Sequence, residues 1–245
     1  MKILICGKGG TGKSTLTALL SKEMAGRGKR VLIVDSDESN FGLSGLLGMA
    51  KPRDFMEYLG GKKVLFEKVK TLEKGLKTDG LPSGYFSEKG SIKLLSVGKI
   101  YDFGEGCACP INALSAKFLG NVELKNDELL IADTDAGVEH LGRGVEKGCD
   151  ILLVVVEPSR ESIELAKRVT TMVKDLGTEV FYVLNKTDDE SERTLLDSLP
   201  RGRIIGSIPN DRRIALYGLQ GSELDLKLEG IGKIADFLKE KAGAL

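Results

Sequence analysis

Short apolar runs alternate with amphipathic stretches along most of the chain. The apolar runs predict strands at residues 2–6, 30–34, 92–97, 128–133, 150–157, 179–184 and 203–208. Helical patterns follow most of these runs, at residues 13–27, 111–119, 139–147, 161–176, 190–199 and 231–241. Apolar strands separated by helices are typical of a parallel sheet covered on both faces. The pattern therefore predicts an α/β fold with a mostly parallel central sheet of about seven or eight strands, helices on both faces, and a ligand site at the carboxyl ends of the strands.

The alternation breaks between residues 49 and 90. This stretch is rich in lysine and glycine, and its apolar residues fit no clear strand of the central sheet. We interpret it as an insertion, either a solvated excursion with one or two short helices or a docking or lid segment. The length of 245 residues, with no composition typical of a linker, predicts a single domain over residues 1–245.

Composition and charge narrow the functional classes. Lysine plus arginine and aspartate plus glutamate number 36 each, so the chain lacks the broad positive field that nucleic acids and anionic membranes attract. The apolar run at the amino terminus is too short for a signal peptide or a membrane span. We expect a cytoplasmic protein that binds neither nucleic acid nor membrane. In that setting Cys6 and Cys149, in or beside apolar runs, are expected to be buried thiols.

A glycine-rich loop follows the first predicted strand and opens the first predicted helix. Its glycines let backbone amides form an anion nest, and the helix amino terminus adds partial positive charge. The lysine before the hydroxyl pair can reach the β and γ phosphates, and the first hydroxyl can bind Mg²⁺. The sequence therefore predicts a Walker A loop for ATP or ADP, formed by Gly7, Lys8, Gly9, Gly10, Thr11, Gly12, Lys13, Ser14 and Thr15.

The same loop also satisfies the glycine spacing of a dinucleotide-binding turn. Gly7, Gly9 and Gly12 have that spacing, and Asp35 closes the second predicted strand where a ribose ligand would lie. A dehydrogenase is therefore an alternative, although a pyrophosphate crevice does not need Lys13 followed by two hydroxyls.

Lys8 is a second lysine inside the loop, and it cannot easily share a phosphate that Lys13 holds in the same subunit. With this lysine the loop resembles the deviant Walker A ATPases, a family that includes the ParA and MinD partitioning ATPases, the nitrogenase iron protein and the arsenite pump ATPase. The resemblance implies a nucleotide-sandwich homodimer in which Lys8 reaches the partner's phosphates. An outward lysine without a function is the alternative.

Two predicted strands end in acids that would face the phosphate loop. By resemblance Asp37 is the residue that activates water in the first switch, and Asp35 helps hold the metal's water shell or the loop. A solvated acidic loop is the alternative. Asp133 closes a strand in the layout of a Walker B motif and would bind Mg²⁺ through water. Gly137 follows it and could offer its amide to the γ phosphate.

Two later strand ends are expected to hold the adenine ring, because the corresponding segments do so in the resembled family. An amide side chain can both donate to and accept from an adenine edge. The residues concerned are Asn185, Lys186, Pro209 and Asp211.

Cys107 and Cys109 lie two residues apart before the helix predicted at 111–119, in a glycine-flanked turn. One such pair supplies half of a tetrahedral thiolate site for Zn²⁺ or another soft metal, and a two-fold dimer can supply the other half. A disulfide or two incidental thiols are the alternatives. His140, the single histidine, is expected to be a packing or hydrogen-bonding residue rather than a ligand.

Around the cysteine pair the chain resembles the CooC-type nickel-insertion ATPases that mature carbon monoxide dehydrogenase. The resemblance is carried by 105–110, Glu-Gly-Cys-Ala-Cys-Pro, and by 136–144. It implies Zn²⁺ or Ni²⁺ at the dimer interface and apo carbon monoxide dehydrogenase, or another nickel enzyme, as partner. Asp135 stands where that branch has glutamate, and Thr11 where it commonly has valine.

Two alternatives of the same class stay open at this point. One is a MinD or ParA-like positioning or partitioning ATPase with no metal role, for which the final predicted helix could serve as a membrane anchor, although such an apolar stripe is more often core. The other is a nitrogenase-like reductase with an iron–sulfur cluster between subunits.

Overall fold

The apolar runs form a large sheet in a computed structural model of the chain, which describes residues 1–62, 64–70, 72, 74–101, 109–137 and 144–243. The strands are β1 (Lys2–Gly7), β2 (Arg30–Asp35), β3 (Leu76–Lys77), β4 (Phe86–Lys89), β5 (Ile92–Ser96), β6 (Val122–Glu123), β7 (Glu128–Asp133), β8 (Ile151–Val156), β9 (Glu179–Thr187) and β10 (Ile204–Pro209). Within the described residues, eight strands form one sheet in the order β10-β9-β8-β1-β7-β2-β5-β4. All its neighbours are parallel except β4 and β5. The predicted mostly parallel sheet is confirmed.

Helices cover both faces of this sheet. They are α1 (Lys13–Gly26), α2 (Leu43–Leu47), α3 (Phe55–Tyr58), α4 (Leu65–Lys70), α5 (Cys109–Asn121), α6 (Arg160–Met172), α7 (Asp189–Ser198), α8 (Arg212–Gln220) and α9 (Glu229–Ala242). Successive side chains of a strand point to opposite faces, so Ile3 and Ile5 pack with α1 and α9 while Leu4 packs with α5, α6 and α7. The burial of β1 on both faces explains its unbroken apolar sequence.

The stretch between residues 49 and 90 differs from its prediction. Its last residues form β4, an edge strand antiparallel to β5 that the apolar pattern did not predict. The apolar pattern does not reveal β4 because most of its residues are polar, and an edge strand needs no continuous apolar run. Phe55 and Leu65 of this stretch are 1% and 0% exposed and belong to the core. The insertion is therefore packed on the sheet rather than being a purely solvated excursion.

Helix α8 is an element that the apolar pattern did not predict. None of its residues is fully buried, although the partly buried Ile214 and Tyr217 pack against the core. Its ends are nevertheless marked in the sequence, by the Asp211 side chain that caps its amino terminus and by Gly221, whose φ of 61° suits a helix carboxyl end.

Two further predicted helices need adjustment. Helix α5 begins at Cys109, two residues before its predicted start. Of the helix predicted at 139–147, residues 138–143 lie outside the described residues, and Val145–Gly148 form a 3₁₀ turn. Among the described residues, every helix is too short or too polar to span a bilayer.

Candidate nucleotide-binding site

The phosphate loop connects the carboxyl end of β1 to the first turn of α1, at the centre of the sheet. It passes so close to β8 and β9 that side chains are excluded at two positions. A Cβ on Gly7 would lie 2.6 Å from the Val155 carbonyl oxygen, and a Cβ on Gly12 would lie 2.4 Å from Asn185 Nδ2. Gly12 also has a φ of 93°, a conformation that favours glycine. These contacts give a structural reason for glycine at both ends of the loop.

Lys13 folds back over this loop. Its side-chain nitrogen lies 3.4 Å from the carbonyl oxygens of both Gly7 and Lys8, and the residue is only 6% exposed. The hydroxyl of Thr11 donates to the same Lys8 carbonyl over 2.9 Å, which closes the loop from inside. An ammonium group held beside a helix amino terminus is suited to bind a polyphosphate.

The acidic side of the site lies at the ends of β2 and β7, where Asp35 and Asp133 are register partners. Asp133 is fully buried, and neither of its carboxylate oxygens makes a hydrogen bond of ordinary geometry with a described residue. Burial raises its pKa to about 7, helped by the Asp35 carboxylate and opposed by the Ser14 hydroxyl and the Lys13 ammonium. A buried carboxylate beside a hydroxyl is an oxygen donor set that fits Mg²⁺.

Asp37 lies beyond β2 and is 7% exposed. Its Oδ1 accepts hydrogen bonds from the Ser39 amide (2.9 Å), the Ser39 hydroxyl (2.7 Å) and the Asn40 amide (3.1 Å). The Asn40 side chain donates to the Ser14 hydroxyl over 2.6 Å, which joins this loop to the first turn of α1. The structure thus brings the predicted water-activating and metal-binding segments together.

The segment that follows β7 also contacts the phosphate loop. The Gly137 amide donates to the Gly7 carbonyl over 3.2 Å, and the Thr134 hydroxyl donates to the Ile5 carbonyl over 2.8 Å. The Gly137 amide is therefore committed to the loop here, and its role toward a γ phosphate stays a prediction.

Two of the four predicted adenine-binding residues contact the phosphate loop. Asn185 and Lys186 lie within the last residues of β9 rather than beyond its end. The Asn185 amide donates to the Thr11 carbonyl over 2.6 Å, and Lys186 donates to the Gly10 carbonyl. Lys186 has a φ of 59°, which is uncommon outside glycine.

The other two predicted adenine-binding residues lie at the end of β10. Pro209 is the last residue of that strand. Asp211 caps α8 through the Arg213 amide (2.9 Å) and pairs with the Arg213 guanidinium (2.6 Å). Contact of these residues with an adenine ring stays a prediction.

The family model that describes the CobQ/CobB/MinD/ParA nucleotide binding domain matches residues 2–224. The chain belongs to this family. An uncharacterized ATP-binding protein of Methanocaldococcus jannaschii is 47% identical over 97% of this chain and 99% of its own length. The carbon monoxide dehydrogenase accessory protein CooC of Rhodospirillum rubrum is 31% identical over 87% of this chain and 85% of its own.

The fold is shared with solved structures of the family. The septum site-determining protein MinD of Pyrococcus horikoshii, solved as a complex with Mg-ADP, superposes with a TM-score of 0.68 and 20% identity, over 99% of this chain and 97% of that chain. Family membership, the ATP-binding relatives and the phosphate loop identify the chain as a P-loop ATPase of the MinD/ParA class that is similar to CooC.

Sequence reasoning missed two charged residues of this ATPase site. Glu157 follows β8 and contacts both loop-facing lysines, with its oxygens 3.4 Å from Lys8 Nζ and 3.3 Å from Lys186 Nζ. Lys8 Nζ also lies 3.8 Å from Glu161 Oε2, so Lys8 forms ion pairs within its own subunit. The signal for Glu157 was an acid directly after an apolar strand at the ligand edge of the sheet.

The second missed residue is Lys99, which follows β5. Its ammonium lies 2.8 Å from Asp35 Oδ2, and its side chain is 1% exposed. A lysine three residues beyond a buried strand gave a weak signal, since such lysines are usually solvated.

The cysteines of this ATPase fall into two groups. Cys6 and Cys149 are 0% and 8% exposed, and burial raises the pKa of each to about 12, so the prediction of buried thiols is confirmed. Cys109 is half-buried at the first residue of α5, whereas Cys107 and His140 lie outside the described residues. Among the residues that are described, no group of three or more histidine, cysteine or acidic side chains could hold a metal ion. The Zn²⁺ or Ni²⁺ site at the cysteine pair therefore stays a prediction.

Proposed function

We propose that this ATPase is a metallochaperone that couples nucleotide-dependent dimerisation to nickel insertion into carbon monoxide dehydrogenase. The supporting observation is the similarity to CooC over most of both chains, combined with Cys107 and Cys109 two residues apart. Cys109 begins α5, whose buried residues belong to the same core cluster as β7, so a metal at the pair would lie beside an element packed on the nucleotide-binding sheet.

ATP is proposed to bind across the phosphate loop. Lys13 and the loop amides would hold the phosphates, and the β9 end with Asn185 and Lys186 would lie toward the base. Ser14 and Asp133 are the residues that would hold Mg²⁺, which would neutralise charge on the phosphates. Asp37 would orient the attacking water and accept its proton, because its carboxylate already lies beside the segment that contacts Ser14.

Dimerisation is proposed to use Lys8. Its side chain is 37% exposed, and its ammonium lies 3.4 Å from Glu157 Oε1. Breaking an ion pair of a solvent-accessible lysine costs little free energy. Lys8 can therefore leave Glu157 for the triphosphate of a partner subunit. Two-fold symmetry would then bring two cysteine pairs together, and four thiolates complete a tetrahedral site for Zn²⁺ or the nickel cargo.

Metal analysis of the reduced protein tests this proposal. The parent and a Cys107→Ala/Cys109→Ala variant are loaded with Ni²⁺ or Zn²⁺, and metal content and native mass are measured with and without ATP. We expect metal in the ATP-bound dimer of the parent, loss of that metal in the variant, and ATP hydrolysis within about twofold of the parent, since the thiols have no part in the proposed phosphate chemistry. Cys149→Ala, which removes a buried thiol, is the matched control and should keep the metal. Equal metal content in parent and double variant would refute the metallochaperone proposal.

A positioning or partitioning ATPase without a metal role is the second candidate, favoured by the MinD-like fold. Its membrane-anchor version would use the apolar stripe of α9. Ile231, Ile234 and Leu238 of that stripe are 3%, 0% and 0% exposed, so they belong to the core. Sedimentation with anionic liposomes and ATP separates the candidates, because the metallochaperone proposal expects the protein to stay in the supernatant.

A further inference from the structure

Lys99 is more deeply buried than the phosphate-loop lysine Lys13, at 2% against 6% exposure. Its ammonium donates to three oxygens: Asp35 Oδ2 at 2.8 Å, the Asn40 carbonyl at 2.5 Å and the Asp37 carbonyl. A lysine side chain has three N–H donors. All three are used, and all three acceptors belong to the end of β2 and the loop that follows it.

The main chain around Lys99 runs along the same loop. The Val97 amide donates to the Asp35 carbonyl over 2.9 Å, and the Ile100 amide donates to the Glu38 carbonyl over 3.1 Å. The ammonium therefore adds the contacts at Asp37 and Asn40 that backbone pairing does not make. These are the two loop residues whose side chains carry the proposed water-orienting and Ser14-binding roles.

The main chain of Lys99 is hydrogen-bonded to Asp54, which is 1% exposed. The Asp54 carboxylate accepts hydrogen bonds from the Ser96 hydroxyl (2.6 Å), the Lys99 amide (3.1 Å) and the Tyr101 hydroxyl (2.8 Å). The backbone of Lys99 is thus fixed by a residue that does not contact the phosphate loop. A fixed backbone lets the ammonium determine where the loop lies.

We propose that Lys99 is a positioning residue for ATP hydrolysis, which holds the main chain of Asp37 and Asn40 so that the Asp37 carboxylate stays aligned for the attacking water. The inference rests on the proposed role of Asp37 as the water-orienting residue. Among the described residues, the Lys99 ammonium donates to no atom of the phosphate loop, so it acts through the loop after β2 rather than on the nucleotide.

Kinetics of Lys99→Met test the role. We expect kcat to fall about 10- to 100-fold, because a small displacement of a catalytic group is costly, while ATP affinity measured by calorimetry stays within about threefold. In an Asp37→Ala background the same substitution should cost less than about twofold, since its effect passes through Asp37. A loss of equal size in both backgrounds, or an unchanged kcat in Lys99→Met, overturns the proposal.

Lys22 provides the matched control. It also pairs with a carboxylate and a backbone carbonyl, Glu223 at 2.9 Å and Leu224 at 2.9 Å, away from the phosphate loop. Lys22→Met should leave kcat unchanged. A fall in kcat as large as that of Lys99→Met would mean that loss of any such lysine disturbs the fold, and would overturn the specific role.

Lys99→Met leaves Asp35 buried without its counter-ion, which can impair folding. The double variant Lys99→Met/Asp35→Asn removes both charges, and we expect it to recover folding but not kcat. Recovery of the parental kcat overturns the proposal.

A readout that does not need hydrolysis keeps the inference separate from the proposed function. The chain has no tryptophan, so Phe41→Trp places a single fluorophore directly after Asn40. We expect Lys99→Met to lower the fluorescence anisotropy of this reporter, and Lys22→Met to leave it unchanged. Unchanged anisotropy in Lys99→Met overturns the positioning role, whereas a parent that binds but does not hydrolyse ATP contradicts the proposed function alone.

Discussion

The ends of β2 and β7 each carry an aspartate in the same register, but only one of the two carboxylates has a charged hydrogen-bond partner. Asp35 and Asp133 are paired across the two strands and are 5% and 0% exposed. Asp35 has the Lys99 ammonium at 2.8 Å, whereas Asp133 has no hydrogen bond of ordinary geometry among the described residues. Burial raises the pKa of both, to about 6 and about 7, and Lys99 opposes the shift only at Asp35.

This difference separates a carboxylate that is paired with a buried ammonium from one that has no hydrogen-bond partner of ordinary geometry among the described residues. A buried charge without a partner is costly, so its retention calls for a compensating function. The β2 end is electrostatically complete and can hold the loop with Asp37 in place. The β7 end has no such ammonium partner among the described residues, which suits the Mg²⁺-binding role proposed for Asp133.

Replacing Asp133 is expected to give the largest effect. Asp133→Asn should lower Mg²⁺-dependent ATP hydrolysis about 10³-fold, because it removes a charge proposed to hold the cation. The same change should stabilise the nucleotide-free protein at pH 8 by about 1–2 kcal/mol, since it removes a buried charge that Ser14 and Lys13 compensate only in part. Hydrolysis assays and urea unfolding measure the two effects. A destabilised Asp133→Asn protein would show that the fold needs this carboxylate for itself.

Asp35→Asn should have the opposite effect on stability. It leaves the Lys99 ammonium buried with only carbonyl acceptors, and we expect a loss of about 3 kcal/mol. Urea unfolding at pH 8 checks the value. Asp236→Asn is the control, since Asp236 pairs with Arg27 at the surface with a side chain 67% exposed, and its loss should be small. If Asp35→Asn costs no more than this control, the two strand ends do not differ as described.

The sequence predicted one of these strand ends better than the other. Asp133, Lys13 and Ser14 were assigned because an apolar strand, a glycine loop and a hydroxyl occupy fixed places in a P-loop chain, and the structure brings them together. The comparisons confirm family membership and the fold. The fold could be predicted because the strands of a buried parallel sheet have long apolar runs.

Lys99 and Glu157 could not be predicted in the same way. Their partners Asp35 and Lys8 lie 64 and 149 residues away along the chain, and only the strand order brings them together. The strand β4 was missed because an edge strand carries polar residues, and α8 was missed because it fully buries none of its residues. Contacts between residues far apart in the sequence, and elements that bury few residues, give only a weak hydrophobic pattern in the local sequence.

The free energy of unfolding is expected to depend on pH through Asp133, with an effect smaller than that of Asp35→Asn. Because the folded-state pKa of Asp133 is raised from 3.8 to about 7, the native state binds more protons than the unfolded state between those values. Stability of the nucleotide-free protein should therefore fall as pH rises from about 4 to about 7, by about 1–3 kcal/mol from this group. Urea titrations across that range should show a shallower decline in Asp133→Asn. Equal slopes in the two proteins would show that Asp133 titrates at its ordinary pKa.

Substitution of Ser36, which lies between the ends of β2 and β7, is expected to give the smallest change in stability. Ser36 follows Asp35, is 3% exposed, and its amide donates to the Asp133 carbonyl over 2.8 Å, while its hydroxyl has no hydrogen-bond partner among the described residues. Because the hydroxyl contributes no contact to the fold, Ser36→Ala should change the free energy of unfolding by less than about 1 kcal/mol, and in the stabilising direction. A loss well above that value would mean that the hydroxyl is satisfied after all. Hydrolysis by the same variant adds information, since a fall in kcat without a loss of stability would place Ser36 with Asp133 on the ligand-dependent side of the site.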